Sequence, residues 1–450
     1  MCIQAIESNI VEFLNIEELK ASVDMDLRSI LPEYVEILMR NIVSKPITVD
    51  AEHFVILDGH EVYEALQLLT ARKLPVVKVD IRNVSVRSLQ HGLKPITIND
   101  ILSAGLKGPK LPFNSFKVIV KGRVPSINIS LNELGVWGGR EEDKARVYNV
   151  YGSTLELLYK GWPTPLVKLN SLSSSGRNVW AKLEGYNPFS NSVKDRIGWS
   201  MIMDSLSKGR LKQILYEATS TNTGIALTSI ANTLGVKTKL FIPQTVQKAS
   251  DIYLKVLGAE VVRMPVGLTV ESIETVDEES RKSDATHLNQ FENDANLKVH
   301  LKYTAKEIDE QLKIIGVKPT CIIGGLGTSG HMSAISIYFK NKYNNIKIIG
   351  VQPAPNEVIP GIRRIETGMK WYYWVDFDEV IDIKRSEAIE SAIEIARKEG
   401  LLIGLSAGAV VGAFKKLSYN EGTYILIFPD TGYKYVEQFS EYLNQYDHSS

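Results

Sequence analysis

The chain has 450 residues, of which 44% are hydrophobic and 23% charged, a composition typical of a globular protein with about two or three domains. Its 52 basic and 52 acidic residues leave no net charge, whereas a nucleic-acid-binding protein usually has a basic excess. No apolar run approaches the roughly 18 residues of a membrane span, and Glu7 and Glu12 argue against a signal peptide. We therefore expect a cytoplasmic protein with no nucleic-acid or membrane partner. With only Cys2 and Cys321, we expect neither a disulfide framework nor a metal site.

The N-terminal part of the chain combines helical and strand-like patterns. The predicted helices follow apolar residues at helical spacing, at 10–19, 32–39 and 61–69. The predicted strands are short runs rich in β-branched residues, at 45–49, 54–57 and 75–81. The turn Asp58-Gly59-His60 lies between a strand and a helix, where backbone N–H groups suit an anion. The alternative is an ordinary turn in which His60 caps the helix.

Residues 5–120 resemble the ParB-type nuclease-like fold, a family that includes chromosome-partitioning proteins and archaeal free-serine kinases. The residues that carry this resemblance are Lys45-Pro46-Ile47-Thr48-Val49, Ile56-Leu57-Asp58-Gly59-His60 and Leu74-Pro75-Val76. Active members continue with a histidine and an arginine that contact phosphate, whereas this chain has Glu61 and Val62. Because a glutamate repels phosphate, the resemblance implies a diverged domain with a structural or regulatory role.

The domain boundaries follow from composition. Residues 121–145 carry charge and glycine without sustained periodicity, which is typical of a connector. From about residue 146 strands alternate with helices, which indicates a parallel sheet covered by helices. We predict a ParB-like α/β domain at 1–125, a linker at 126–145 and a second domain at 146–450.

The second domain is organised around Asn187-Pro188-Phe189-Ser190-Asn191-Ser192-Val193-Lys194-Asp195-Arg196. This stretch follows a predicted strand at 178–184 and reads as a turn with a Ser N-cap, which places Lys194 in the first turn of a helix. The positive end of the helix dipole disfavours a cation there. A partly buried lysine so placed is expected to have a lowered pKa and to act as a nucleophile. The alternative is a surface lysine paired with Asp195 or a glutamate.

The turn at 219–224 lies between a predicted strand at 213–218 and a predicted helix at 225–234. Its sequence, Thr219-Ser220-Thr221-Asn222-Thr223-Gly224, offers hydroxyls, an amide and backbone N–H groups together, a combination that suits a carboxylate. An N-cap box explains one or two of these polar residues and leaves the others unexplained.

The turn Gly324-Gly325-Leu326-Gly327-Thr328-Ser329-Gly330-His331 lies between a predicted strand at 320–323 and a predicted helix at 332–339. It matches the G-x-G-x-x-G pattern of dinucleotide sites. That fingerprint requires an acidic residue at the end of the next strand, and the next strand, 346–351, is followed by Gln352-Pro353. The turn therefore favours a simple phosphate monoester.

A lysine, a carboxylate-binding turn, a phosphate-binding turn and a single serine are the groups that pyridoxal phosphate chemistry uses. The serine is Ser406 in Gly404-Leu405-Ser406-Ala407-Gly408-Ala409, although it could also be a simple helix cap. Residues 146–450 resemble the β-replacing, fold type II pyridoxal-phosphate enzymes of the cysteine synthase and cystathionine β-synthase family. The motifs that carry the resemblance are the Lys194 stretch, 219–224, Asn289-Gln290-Phe291-Glu292-Asn293, 327–331 and 404–408.

The resemblance implies two open, mostly parallel α/β subdomains with helices on both faces, and pyridoxal 5′-phosphate as cofactor. It implies that Lys194 forms the Schiff base and acts as the catalytic base, that Asn222 binds the ring oxygen and that Ser406 faces the pyridine nitrogen. The residues implied to hold the cofactor phosphate are Gly327, Thr328, Ser329, Gly330 and His331. The residues implied to hold the substrate carboxylate are Thr219, Ser220, Thr221 and Gln290. Thr221 departs from the family's usual glycine, and Ser329-Gly330-His331 departs from its usual Gly-Gly-Thr.

The leaving group depends on the loop at 358–368, where Arg363 and Arg364 are adjacent. Guanidinium suits a dianionic phosphate, and the pattern resembles the archaeal O-phosphoserine sulfhydrylases. Adjacent side chains of an extended loop point opposite ways, so we expect one arginine, Arg363, to read phosphate. The alternative is surface pairing with Glu357 or Glu366.

We therefore expect a homodimeric cysteine synthase that makes L-cysteine from O-phospho-L-serine, or also O-acetyl-L-serine, and sulfide. An enzymatic alternative is a cystathionine β-synthase that accepts homocysteine. An alternative of another class is a regulatory or partitioning protein in which the C-terminal domain is a catalytically silent scaffold.

Overall fold

The computed structural model describes residues 10–89, 95–122, 124–136, 149–417 and 421–447. The chain divides into two compact units, Met1–Asp143 and Lys144–Ser450. None of the helices in the described ranges is both long enough and apolar enough to cross a membrane.

The first unit is a small α/β domain. Its strands are β1 (Val11–Asn15), β2 (Val23–Asp24), β3 (Ile42–Val43), β4 (Ile47–Asp50), β5 (Ile56–Asp58), β6 (Lys73–Val79), β7 (Val84–Ser88), β8 (Leu111–Pro112), β9 (Phe116–Val120) and β10 (Ile129–Ser130). Its helices are α1 (Leu27–Arg40), α2 (His60–Leu68) and α3 (Ile98–Lys107). Four strands form a mixed sheet in the order β1-β6-β4-β5, and β10, which lies in the predicted linker, pairs with β3.

Two expectations for this unit are wrong. The predicted helix at 10–19 is strand β1, which pairs antiparallel with β6, so backbone pairing with a neighbouring strand overrides local helical spacing. His60 does not cap α2, because Gly59 occupies the N-cap with φ +84° and the buried His60 ring lies 2.9 Å from the Ser22 hydroxyl. The other predicted segments of this unit are present, with ends shifted by a few residues.

The second unit contains two sheets. Its strands are β11 (Leu166–Lys168), β12 (Arg177–Leu183), β13 (Ile214–Ala218), β14 (Lys237–Pro243), β15 (Glu260–Met264), β16 (Thr286–His287), β17 (Cys321–Gly325), β18 (Lys347–Pro353), β19 (Glu379–Ile383) and β20 (Gly422–Phe428). Its helices are α4 (Thr154–Lys160), α5 (Lys194–Ser207), α6 (Thr221–Thr233), α7 (Ser250–Val256), α8 (Ile273–Lys282), α9 (Ala295–Val299), α10 (Lys306–Ile314), α11 (Gly330–Lys342), α12 (Arg385–Glu399), α13 (Leu405–Lys416) and α14 (Val436–Asp447). A π-helix, His300–Ala305, joins α9 to α10.

The six-stranded sheet has the order β11-β12-β20-β17-β18-β19, and its strands are parallel except at the edge strand β11. The four-stranded sheet, β15-β14-β13-β16, is parallel throughout. The near-continuous apolar runs of β17 and β20 are buried, as is usual for strands covered on both faces. The predicted fold class is confirmed: two open, mostly parallel α/β subdomains follow a small α/β domain.

A buried ion-pair cluster holds α5 in place. Arg196, on its first turn, has no exposed side-chain surface and contacts Glu184 at 2.6 Å and Glu307 at 2.7 Å. Lys182 completes the cluster at 3.0 Å from Glu307, so two cations face two carboxylates. Burial alone raises the pKa of Glu307, but Arg196 and Lys182 outweigh it and bring that pKa to about 2. The cluster therefore fixes the helix that begins at Lys194.

Replacing Arg196 with methionine removes the cation that contacts both Glu184 and Glu307 and leaves only Lys182 beside the two buried carboxylates, so we expect a loss of about 3 to 5 kcal/mol in the free energy of unfolding. Guanidinium unfolding followed by tryptophan fluorescence measures it, since five of the six tryptophans lie in the second unit. The control is Lys398→Met, which breaks an exposed pair with Glu394 and should cost at most about 1 kcal/mol. Equal losses in both variants would contradict the expectation.

Candidate active site

Lys194 is the first residue of α5, at the end of a loop that follows β12. The Asp195 carboxylate closes this loop by accepting the backbone N–H groups of Phe189 at 2.7 Å and Ser190 at 2.9 Å. The N-cap position is Val193 and not the predicted serine, although the Ser192 hydroxyl accepts the Lys194 N–H at 3.1 Å. The turn thus presents Lys194 at the carboxyl edge of the six-stranded sheet.

The surroundings of Lys194 do little to stabilise its positive charge. Burial lowers the pKa of Lys194 to about 8, with Asp430 opposing the shift and Arg363 adding to it. Within the described parts of the chain Lys194 forms no ion pair, and the Asp195 carboxylate is occupied by backbone N–H groups. The alternative of a surface lysine paired with Asp195 is therefore wrong. A fraction of Lys194 is therefore a neutral amine near neutral pH.

The turn at 219–221 joins β13 to α6, which begins at Thr221, earlier than expected. Thr219 is buried, and the Thr221 hydroxyl donates to Ser250 Oγ at 2.6 Å. Gln290 reaches this turn from a distant segment, where its Nε2 donates to the Ala218 carbonyl at 3.0 Å. Its Oε1 accepts a hydrogen bond from Thr223 at 2.9 Å. The structure thus brings Gln290 to the predicted carboxylate turn, with a second N–H of its amide still available.

The predicted phosphate turn joins β17 to α11. Ser329 adopts a left-handed conformation, with φ +70°. Gly327 and Gly330 are required by close approach: a Cβ at Gly327 would lie 2.6 Å from the Gly361 carbonyl oxygen, and one at Gly330 would lie 2.1 Å from Asn296 Oδ1. The N-terminus of α11 opens at this turn and offers backbone N–H groups to an anion.

Ser329 Oγ, His331 Nε2 and Asn222 Oδ1 are among the buried polar atoms near these turns that have no hydrogen-bond partner within the described residues. Buried polar groups normally find partners, so atoms of this kind point to a ligand. Burial lowers the pKa of His331 to about 3, with Lys194 adding to the shift, so the ring is neutral and one nitrogen carries a proton. A hydroxyl and an imidazole N–H at a helix N-terminus fit a phosphate group. The residues present therefore fit pyridoxal phosphate.

Ser406 is the second residue of α13 and is buried. The N-cap of this helix is Gly404 and no side-chain cap is formed, so the structure gives no support to a capping role. The Ser406 hydroxyl lies 3.6 Å from the position that a Cβ on Gly361 would occupy. The loop that carries the two arginines therefore passes directly beside Ser406.

Arg363 and Arg364 have different environments. Arg363 donates from Nε to the Gly327 carbonyl at 2.9 Å, and its guanidinium lies 5.1 Å from the centre of the Phe291 ring. Burial lowers the pKa of Arg363 to about 10, and among the described residues it forms no ion pair with a carboxylate. Arg364 instead pairs with Glu366 at 2.9 Å and Asp382 at 3.1 Å. The surface pairing therefore holds for Arg364 but not for Arg363.

Asp430, which lies two residues after the end of β20 and is buried, was not predicted from the sequence. Its Oδ2 accepts a hydrogen bond from Asn222 Nδ2 at 2.8 Å and one from the Tyr435 hydroxyl at 2.5 Å. It is also the anion that raises the pKa of Lys194 against burial. The only signal in the sequence is an acidic residue two positions after an apolar run, which by itself is weak.

The sequence also missed Asn296, which joins two of the predicted turns. Its Nδ2 donates to the Gln290 carbonyl at 2.9 Å and to Thr328 Oγ1 at 3.0 Å. Together with the contact between Asn222 and Asp430, it connects the four-stranded subdomain to the phosphate turn of the six-stranded one. These contacts, with that of Gln290 on Ala218, bring the predicted carboxylate turn, the Gln290 segment and the phosphate turn together.

Comparison with known proteins identifies the family. A sequence profile described as "Pyridoxal-phosphate dependent enzyme" matches residues 157–430, more than half of the chain. Cysteine synthase B from Escherichia coli (strain K12) is 34% identical over 281 residues, 61% of this chain and 91% of the relative. Cysteine synthase from Aquifex aeolicus is 35% identical over 272 residues, 57% of this chain and 82% of the relative.

A crystal structure of a hydrogen sulfide-producing enzyme from Fusobacterium nucleatum superposes with a TM-score of 0.58 and 30% sequence identity. The alignment covers 64% of this chain and 100% of the chain in that structure. The residues of this chain that the profile matches include the Lys194 turn, both ligand turns and Asp430. The chain therefore belongs to the family of pyridoxal-phosphate dependent enzymes, and pyridoxal phosphate is its cofactor.

Proposed function

We propose that the protein is a cysteine synthase that replaces the phosphate of O-phospho-L-serine with sulfide, and that O-acetyl-L-serine is a second substrate. The cysteine synthases among its relatives support sulfide as the nucleophile. The observation that carries phosphate as the leaving group is Arg363, a half-buried cation that forms no ion pair with a carboxylate among the described residues. A buried unpaired charge is unfavourable unless an anion arrives beside it.

The position of Arg363 fits this role. Its Nε donates to Gly327 of the phosphate turn, and its charge lowers the pKa of Lys194, so it lies close to both. Its Nη1 donates to Thr367 Oγ1 at 2.6 Å, which holds the guanidinium in one orientation. Because Nε and Nη1 are used in these contacts, the guanidinium offers the N–H groups of Nη2 to a phosphate leaving group.

When bound, pyridoxal phosphate supplies an electron sink for negative charge at the substrate Cα. Lys194, with its pKa near 8, takes the Cα proton as a neutral amine and later returns it. Arg363 stabilises the dianion that forms as the bond between Cβ and the phosphate oxygen breaks. Sulfide then forms the new bond to Cβ, so phosphate leaves and L-cysteine is the product.

The substrate is oriented through its carboxylate. We assign that group to the N–H groups and hydroxyls at Thr219, Ser220 and Thr221 and to the free N–H of Gln290. Ser406 is assigned to the ring nitrogen of the cofactor, where a neutral hydroxyl leaves that nitrogen unprotonated. A weak electron sink favours loss of the β-substituent over transamination.

Replacing Lys194 with alanine should abolish both the yellow colour of the purified protein and turnover, because the amine that links the cofactor is lost. Borohydride reduction of wild type, followed by peptide mapping, should place the pyridoxyl group on Lys194. The rate at which cofactor-free protein takes up pyridoxal phosphate should rise with pH up to about 8, as the amine loses its proton.

The matched control is Lys302→Met, because burial also lowers the pKa of Lys302 to about 8. That variant should keep the covalent linkage. A pyridoxyl group found on Lys302 or on any other lysine would show that Lys194 has a different role.

Replacing Ser406 with aspartate should protonate the ring nitrogen and lower β-replacement at least roughly ten-fold, while the cofactor stays bound. An acidic residue in the first turn of a helix is favourable, so α13 itself should not be weakened. Steady-state kinetics and the cofactor absorption spectrum measure the two effects, with Ser406→Ala as control. Unchanged turnover in the aspartate variant would mean that Ser406 does not face the ring nitrogen.

Replacing Arg363 with alanine should lower kcat/KM for O-phosphoserine by about 30- to 1000-fold, or roughly 2 to 4 kcal/mol, because a charged contact to the leaving group is lost. The value for O-acetylserine should change little, since its leaving group carries no charge. Arg364→Ala is the control and should affect neither substrate, because Arg364 is paired at the surface.

The same assay tests the proposed reaction when sulfide and homocysteine are offered together and cysteine and cystathionine are quantified. Cystathionine as the main product would show that the nucleophile is homocysteine and not sulfide. An equal loss on both substrates in the Arg363 variant would assign that residue to the loop structure and not to phosphate.

A further inference from the structure

Two buried imidazoles lie against each other at the phosphate turn. His331 is the second residue of α11, and His300 is the first residue of the π-helix that joins α9 to α10. The centres of the two rings are 5.8 Å apart and their planes make an angle of 66°, which is an edge-to-face contact. His331 is 5% exposed and His300 is 2% exposed. Each ring therefore limits the rotation of the other.

The orientation of the His300 ring is itself fixed. Its Nδ1 lies 2.9 Å from the hydroxyl oxygen of Thr304, which is a hydrogen-bond distance, and Thr304 has no exposed surface. Both residues belong to the π-helix, a rare form of helix that is frequent at functional sites. A hydroxyl and two imidazoles thus form a row that ends at the phosphate turn.

Both imidazoles are neutral. Burial lowers the pKa of His331 to about 3, with Lys194 adding to the shift and Glu184 opposing it. Burial also holds the pKa of His300 well below its usual value, and the His331 ring and the nearby cations add to that shift. A neutral imidazole has one N–H group and one lone pair. It therefore binds an anion only when the N–H group, and not the lone pair, faces that anion.

The ring orientation of His331 decides what the phosphate turn offers to an anion. Its Nε2 is buried and has no hydrogen-bond partner within the part of the chain that the structure describes. A threonine, which the family usually has at this position, can rotate its hydroxyl proton toward a phosphate, whereas an imidazole N–H points along one direction of the ring. The imidazole found here therefore needs a neighbour that holds the ring.

We propose that His300 is a positioning residue for the cofactor, which by its edge-to-face contact holds the His331 ring with the Nε2–H group directed at the cofactor phosphate. His331 makes the contact with phosphate, and Thr304 holds His300 in turn. This arrangement adds a donor to the phosphate turn without adding a charge. The inference rests on the placement of the cofactor phosphate at residues 327–331, and it does not depend on the substrate or the nucleophile proposed above.

The test compares how the full-length, cofactor-free protein binds pyridoxal 5′-phosphate and pyridoxal, which lacks the phosphate. His300→Leu removes the ring while keeping a side chain of similar volume. It should raise the dissociation constant for pyridoxal phosphate roughly three- to ten-fold and leave that for pyridoxal within about two-fold of wild type. His300→Phe should restore most of the affinity for pyridoxal phosphate, because the edge-to-face contact is kept.

A double-mutant cycle separates a positioning role from a structural one. His331→Ala removes the proposed donor and should itself weaken the binding of pyridoxal phosphate. In that background His300→Leu should cause no further loss, since no ring is left to position. Phosphorus NMR of the holoenzyme reports the same effect without turnover. The signal of the bound phosphate should move in His300→Leu and stay at its wild-type position in His300→Phe.

The matched control is His60→Leu in the first unit. His60 is also buried, its ring lies 2.9 Å from the Ser22 hydroxyl, and it makes an edge-to-face contact with Phe116 at 6.3 Å. This variant loses the same kinds of contact, and both of its dissociation constants should match those of wild type. If His300→Leu does not fold, Thr304→Val takes its place, because it removes only the hydroxyl that fixes the His300 ring. The loss in Thr304→Val should likewise disappear in the His331→Ala background.

Equal losses for pyridoxal phosphate and pyridoxal would overturn the proposal, because they would assign His300 to the general packing of the unit. Additive losses in the double variant, or equal losses in His300→Phe and His300→Leu, would overturn it as well. The outcome is separate from that of the proposed function, since no amino-acid substrate enters the measurement. A protein that binds the cofactor as expected but does not turn over O-phosphoserine would contradict the proposed function alone.

Discussion

The whole candidate active site depends on the parallel pairing of the strands. In a parallel sheet every strand leaves at the same edge, so the turn after each strand opens toward the same side. Lys194 follows β12, the phosphate turn follows β17, Arg363 follows β18 and Asp430 follows β20. The four-stranded sheet supplies the carboxylate turn after β13 in the same way. A site built from segments more than 200 residues apart is thus assembled at these strand ends.

Several groups at the candidate site are suited to bind anions. Lys194 and Arg363 are both held with lowered pKa values, and the unpartnered atoms at Ser329 and His331 lie at the start of a helix. Asp430 is the carboxylate that acts on Lys194, and it is already bound by Asn222 and Tyr435. A site of this kind is suited to bind anionic groups, and a phosphorylated cofactor and an amino-acid substrate supply them. Burial and the positive charge of Arg363 also lower the pKa of Lys194, so this lysine loses its proton more readily than an exposed one.

The sequence predicted the fold class and the turns because each turn has a local signature of small polar residues or glycine after an apolar run. It did not predict Asp430 or Asn296, since a single polar residue has no signature until folding brings it to a turn. The contact of Gln290 with the Ala218 carbonyl joins residues 72 positions apart, and no spacing rule connects them. The helix expected at 10–19 failed for the related reason that pairing with β6 decided the conformation. The ParB-like assignment of the first unit, the homodimer and the cytoplasmic location stay predictions.

Ser329 has a consequence for how this sequence can change over time. Its left-handed backbone is a conformation that glycine adopts freely and that costs a serine on the order of 1 kcal/mol. Selection for thermal stability alone would favour glycine at this position, whereas the proposed contact of Ser329 with the cofactor phosphate favours the hydroxyl. The residue found here in any descendant of this chain therefore records which of the two pressures was the stronger.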